Sequence, residues 1–121
     1  MDYGGGAALE FLERTYGGTL RDYEEVVSVT SATVQIVSGD ADRVFLLVTN
    51  LGANAVYVAP TLPVSAARGI YLAANGGLLG FNLYQDGLMP VLPLFGFTAA
   101  AAMNVFVIRV RRETISPRSS T

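Results

Sequence analysis

Residues 43–60 read RVFLLVTNLGANAVYVAP: two apolar runs joined by a small polar turn, with no charged side chain after Arg43 until Arg68. β-Branched and aromatic residues fill both runs, the composition of a pleated surface packed on other side chains. The spacing predicts a strand over 44–49 and an antiparallel partner over 55–59, joined as a hairpin through Asn50, Leu51, Gly52, Ala53 and Asn54. Asparagine bonds to its own backbone in turns, and glycine takes a positive φ without steric cost. A half-solvated antiparallel strand alternates apolar and polar residues, whereas both faces of 44–48 are apolar. Something must therefore cover each side: an opposing sheet on one, and an N-terminal arm or another subunit on the other.

The same kind of signal recurs along the chain. Residues 26–37, VVSVTSATVQIV, read as one long first strand, with Val26, Val34 and Ile36 on one face, followed by the polar turn SGDAD. GIYLAA, LLGFNLY, PLFGFTA and MNVFVIRV supply further strands, separated by TLPVSAARG, NGG and QDGLMP. In the last of them Phe106, Ile108 and Val110 point one way, and Val105, Val107 and Arg109 the other. Seven or eight short strands at close turn spacing predict an all-β fold, an antiparallel β-sandwich. Strand order does not follow from the pattern, and a jelly-roll topology is preferred over an immunoglobulin-like one.

Residues 7–16, AALEFLERTY, carry the one helical pattern: Leu9, Leu12 and Tyr16 share a side, and Glu10, Glu13 and Arg14 are available for the other. Gly4–Gly6 and Gly17–Gly18 flank it as hinges. The expected organisation is a helical arm within residues 1–25, a sandwich over 26–112 and a polar tail at 113–121.

Composition narrows the function classes. Of the 121 residues 51% are hydrophobic and only 15% charged, against roughly 25% charged in a typical globular chain. All eight basic residues are arginine, and lysine, histidine, cysteine and tryptophan are absent. Those absences remove the thiol nucleophile, the neutral-pH proton shuttle, the Schiff-base amine and the soft metal ligands. No enzyme activity, cofactor or metal is therefore expected. Asp40 and Asp42 fall short of a calcium loop, which needs more carboxylates at fixed spacing. Asp22, Glu24 and Glu25 lie too close together for a glycosidase pair across a sugar cleft.

Charge is unevenly placed: residues 1–42 hold eight acids and two arginines, residues 43–121 two acids and six arginines. Attraction between copies and pairing within one chain both account for that asymmetry. Arg109, Arg111 and Arg112 are expected to pair with acids of neighbouring subunits rather than to track nucleic acid. Tyr57, Tyr71, Tyr84, Phe81, Phe95 and Phe97 suit either a stacking groove or ordinary packing. The uncharged stretch 88–108 is long enough to span a bilayer, but Pro90, Pro93, Gly96 and Asn104 interrupt it, so no membrane span is expected. The opening MDYGGGAALE lacks a basic segment followed by an apolar one, so no secretory leader is expected either.

Arg43, Leu46, Val48, Asn50 and Gly52, then Val56-Tyr57-Val58, then Gly69-Ile70-Tyr71-Leu72 and the AANGG turn, form a pattern that resembles small β-sandwich virion proteins of tailed bacteriophages. The pattern covers residues 26–84, with an echo at 105–110. The resemblance implies a non-enzymatic structural protein of the virion, assembled in the host cytoplasm: a head-decoration, minor-capsid or tail-associated component. Its expected partners are further copies of itself, in a cyclic oligomer taken as a trimer, and the major capsid or other virion proteins. Leu9, Phe11, Leu12 and Tyr16 of the arm, with Tyr57, Arg109, Arg111 and Arg112, are the expected contact residues. The alternative is a carbohydrate- or receptor-binding β-sandwich module of a phage spike or fibre.

Overall fold

The structure is a computed structural model that describes residues 19–113. The expected arm helix at 7–16, with Leu9, Phe11, Leu12 and Tyr16, lies outside the described residues, as does the tail beyond Glu113. Eight strands follow one another: β1 (Thr19–Val29), β2 (Val34–Val37), β3 (Arg43–Asn50), β4 (Val56–Ala59), β5 (Ile70–Leu72), β6 (Leu78–Asn82), β7 (Leu94–Phe97) and β8 (Met103–Glu113). They form two four-stranded sheets, in the order β1-β8-β3-β6 and β2-β7-β4-β5, with every pairing antiparallel.

The core lies between the sheets. Leu46 and Val48 of β3 and Val105 and Val107 of β8 meet Val56 and Val58 of β4 and Leu94 of β7, all fully buried or nearly so. Each such side chain contributes about 1.5–3 kcal/mol by leaving water. The alternation expected in the last strand is present: Val105 and Val107 face the core, while Phe106, Ile108 and Val110 are half-buried on the other side. Gly96 of β7 sits where a Cβ would come 2.7 Å from the side chain of Ile36 on the neighbouring β2 and 3.2 Å from that of Val29 on the facing sheet, so its lack of one leaves room for both.

Two sequence expectations are corrected. Residues 26–37 are not one strand: β1 ends at Val29, Thr30 caps a turn by bonding Ala32, and β2 joins the opposite sheet. Val26 consequently faces outward on one sheet while Ile36 is in the core. β1 also begins at Thr19, upstream of the expected boundary at Val26. Nor do β3 and β4 form a hairpin, because β3 pairs with β6 and β8, and β4 with β5 and β7.

The physical reason for that second correction is Asn50. Its amide nitrogen donates to the carbonyls of Asn54 (2.8 Å), Leu72 (3.2 Å) and Ala73 (3.2 Å), and its side-chain oxygen accepts from the Gly52 N–H (2.9 Å). The side chain thus holds a corner at which the chain changes sheet, not a two-strand turn. The NGG turn docks on the same corner, with the Gly76 N–H donating to Asn50 O (2.7 Å) and the Asn50 N–H to Gly77 O (2.8 Å).

LLGFNLY is also shorter as a strand than its pattern predicts. The Asn82 side chain accepts from the Gln85 N–H, and Asp86 accepts from the Asn82 N–H. That reciprocal cap starts a single helical turn, α1 (Leu83–Asp86). A 3-10 turn, Met89–Val91, then leads into β7. The apolar stretch 88–108 is therefore a turn and two strands, and no helix among the described residues is long and apolar enough to cross a membrane.

Candidate functional site

Strand register sets which side chains share the outer face of the β1-β8-β3-β6 sheet. Three rows cross it: Asp22, Val110, Phe45 and Asn82; Glu24, Ile108, Leu47 and Gly80; Val26, Phe106, Thr49 and Leu78. The two central strands thus present an apolar stripe of Phe45, Leu47, Phe106, Ile108 and Val110, all half-buried. At one end Val26 and Leu78 widen it with 56% and 62% of their surfaces exposed. Asp22 and Glu24 edge it with exposed carboxylates. At the other end a hollow of about 370 Å³ opens between Leu20, Phe45, Val110, Asn82, Tyr84 and Gln85.

The outer face of the second sheet is aromatic. Tyr57 pairs in register with Phe97 on one side and Tyr71 on the other, and Phe95 lies across from Ala59 in the next row. The Tyr57 and Tyr71 rings are 5.6 Å apart at 59°, and Tyr71 is 61% exposed. Of the six aromatics singled out in the sequence, these four share a face; Phe81 is in the core and Tyr84 lies at the hollow of the other sheet.

Arg109, Arg111 and Arg112 lie on the C-terminal half of β8, between β1 and β3. Arg111 contacts Asp40 (2.8 Å), Asp42 (3.6 Å) and Glu113 (3.5 Å), Arg112 contacts Asp42 (3.5 Å), and Arg109 lies 3.9 Å from Glu25 and over the Tyr23 ring at 5.4 Å. The Arg111 hydrogen bond holds the Asp40 carboxyl below the usual carboxylate range, and the same bond raises the pKa of Arg111. The Tyr23 hydroxyl donates to Glu113, which lowers the Glu113 pKa and raises that of Tyr23. Acids from the first third of the chain therefore meet arginines from its end inside one molecule. These pairs account for part of the charge asymmetry without a second copy.

Arg43 is a separate case. Buried at the start of β3, it donates to the carbonyls of Pro90 (2.5 Å), Ser38 (2.9 Å) and Leu92 (2.6 Å), and burial lowers its pKa. It fastens the 3-10 turn to the β2–β3 connection, a structural role.

Asp40 and Asp42 are engaged by arginine, and no group of three metal-binding side chains occurs among the described residues. The outward residues of β3 were legible as a second apolar face. Their alignment with Val26 and Leu78 was not, because it depends on strand order.

No protein-family model and no curated protein matches the chain. Among solved structures it is similar to one described as "Bacillus endospore appendages form a novel family of disulfide-linked pili". The two share 11% identity over 80% of this chain and 90% of that chain, with a TM-score of 0.49. A likeness at that level carries no argument about what this chain does.

Proposed function

We propose that the chain is a non-enzymatic structural subunit of a virus particle, assembled in many copies as a head-decoration, minor-capsid or tail-associated component of a tailed bacteriophage. The observation that carries the reading is the apolar stripe on the β1-β8-β3-β6 sheet, which ends in the exposed Val26 and Leu78. Contiguous apolar surface of this kind marks sites where proteins meet. Because Arg109, Arg111 and Arg112 have acids within their own chain, the contact between copies is apolar first and ionic second. The finer fold proposed is a jelly roll. The strand orders β1-β8-β3-β6 and β2-β7-β4-β5 support it, since eight strands in two sheets are the jelly-roll arrangement of viral capsid and lectin domains. Immunogold labelling of particles from cells that make the chain tests the reading. A regular, many-copy pattern on the particle is expected, and label confined to the soluble fraction contradicts it.

The aromatic face favours a second reading, a carbohydrate- or receptor-binding module of a spike or fibre. Tyr57, Tyr71, Phe97 and Phe95 are placed to stack on sugar rings. That reading predicts glycan binding by the wild-type chain that Tyr71→Ala abolishes.

A further inference from the structure

We propose that a second hollow, beside Tyr57 of the β2-β7-β4-β5 sheet, is the seat of one neutral saccharide ring. The inference rests on the glycan-binding reading above, and adds to it the size and charge class of the sugar and the residue that selects it. The hollow measures about 230 Å³ and is lined by Asn54, Ala55, Tyr57, Thr98, Ala99 and Ala100. Sites for drug-sized ligands run from roughly 300 to 1,000 Å³, so this one holds a single ring and not a length of chain. Tyr57 supplies the aromatic surface on which the apolar side of a sugar stacks. Its neighbour Tyr71 is 5.6 Å away but inclined at 59°, so the two rings offer no flat platform for an extended glycan.

The walls are held in place by the fold itself. On one side the Asn54 carbonyl accepts from the amide of the buried Asn50 (2.8 Å). On the other, the buried Thr98 donates its hydroxyl to the Ala55 carbonyl (2.9 Å) and its N–H to the Thr30 carbonyl (3.1 Å). A site fixed in this way loses little freedom when a ligand enters. Asn54 itself is exposed at the rim, and its side-chain amide carries the donors and the acceptor that neighbouring sugar hydroxyls require. None of the lining residues is charged. Arg68, on the β4–β5 connection, is engaged by the carbonyls of Thr61 and Pro63. A sugar carboxylate would therefore give up hydration with no cation to replace it, which restricts the seat to neutral sugars.

The test is an NMR titration of the full chain, read at each backbone amide. The probes are the methyl glycosides of glucose, galactose, mannose, N-acetylglucosamine and glucuronic acid, with the linear trisaccharide of each neutral sugar. A ligand of roughly thirteen non-hydrogen atoms at ordinary efficiency binds with a Kd of about 1 mM. The expected result is that a neutral glycoside at this affinity shifts the amides of Asn54, Ala55, Thr98, Ala99 and Ala100, and that its trisaccharide binds about equally well. Asn54→Ala should weaken binding about tenfold while the rest of the spectrum stays that of the parent, because Asn50 holds the Asn54 backbone and not its side chain. The glucuronide should give no shift. Shifts confined to Tyr71 and Phe95, undiminished binding by Asn54→Ala, a strong gain with chain length or binding of the glucuronide would each overturn this seat and leave the glycan reading standing. No shift with any sugar would overturn both.

Discussion

Arg43 and Asn50 show how single side chains decide this structure. Each is buried and each answers several backbone carbonyls from segments distant in sequence. Replacing Arg43 by methionine keeps apolar bulk but leaves three carbonyls without their donor, and each buried unsatisfied group costs about 1–3 kcal/mol. Arg43→Met is therefore expected to lower unfolding stability by about 3 kcal/mol in denaturant titrations. Arg43→Lys should fall between, because one ammonium cannot reproduce the planar fork. Asn50→Asp is expected to be at least as damaging, since it places a carboxylate against the carbonyls of Asn54, Leu72 and Ala73. A wild-type denaturation midpoint in Arg43→Met or in Asn50→Asp would contradict the role of that residue. In the sequence Arg43 reads as the charged opening of a strand and Asn50 as a turn residue. Nothing local reveals that their partners lie up to 49 residues away.

At the scale of elements, the strands were legible and their pairing was not. Runs of β-branched and aromatic residues locate β3 and β4, and the alternation of Val105 and Val107 with their neighbours locates β8. The pattern cannot tell a hairpin from a corner between sheets, since both join two apolar runs through asparagine and glycine. The break at Thr30 was hidden in the same way by β-branched residues on either side of it. The aromatic row on β7, β4 and β5 likewise follows from pairing rather than from spacing along the chain.

The NGG turn is an element with little tolerance. A Cβ on Gly77 would stand 2.3 Å from the Ala73 nitrogen and 2.4 Å from its oxygen, both backbone atoms. Gly77→Ala should then cost about 2–3 kcal/mol through forced displacement, whereas a near-neutral result would show that the turn adapts freely. The ionic end carries the pH dependence. Asp40 and Glu113 have pKa values lowered by folding from their ordinary 3.8 and 4.5. The folded state thus binds fewer protons than the unfolded one in that range, and their contribution is present above about pH 4.5 and lost as pH falls through the depressed values. Denaturation midpoints should drop progressively below pH 4.5, with a shallower slope in Asp40→Asn. An unchanged slope would remove Asp40 from the account.

For the whole molecule, an apolar sheet face whose ends at Val26 and Leu78 are exposed and internally paired arginines argue together. Charge asymmetry in the sequence left steering between copies and pairing within one chain equally open. The contacts of Arg109, Arg111 and Arg112 with Glu25, Asp40 and Asp42 shift the association expected between copies toward apolar surface. Such association is not weakened by salt, whereas exposed ion pairs are screened. The most direct measurement is the solution mass of the purified chain by light scattering at low and high salt, beside Phe106→Asp, which places a charge on the outer face without touching the core. The account predicts a discrete oligomer at both salts and a folded monomer for Phe106→Asp. A wild-type monomer across the concentration range, or an oligomer indifferent to Phe106→Asp, would contradict it.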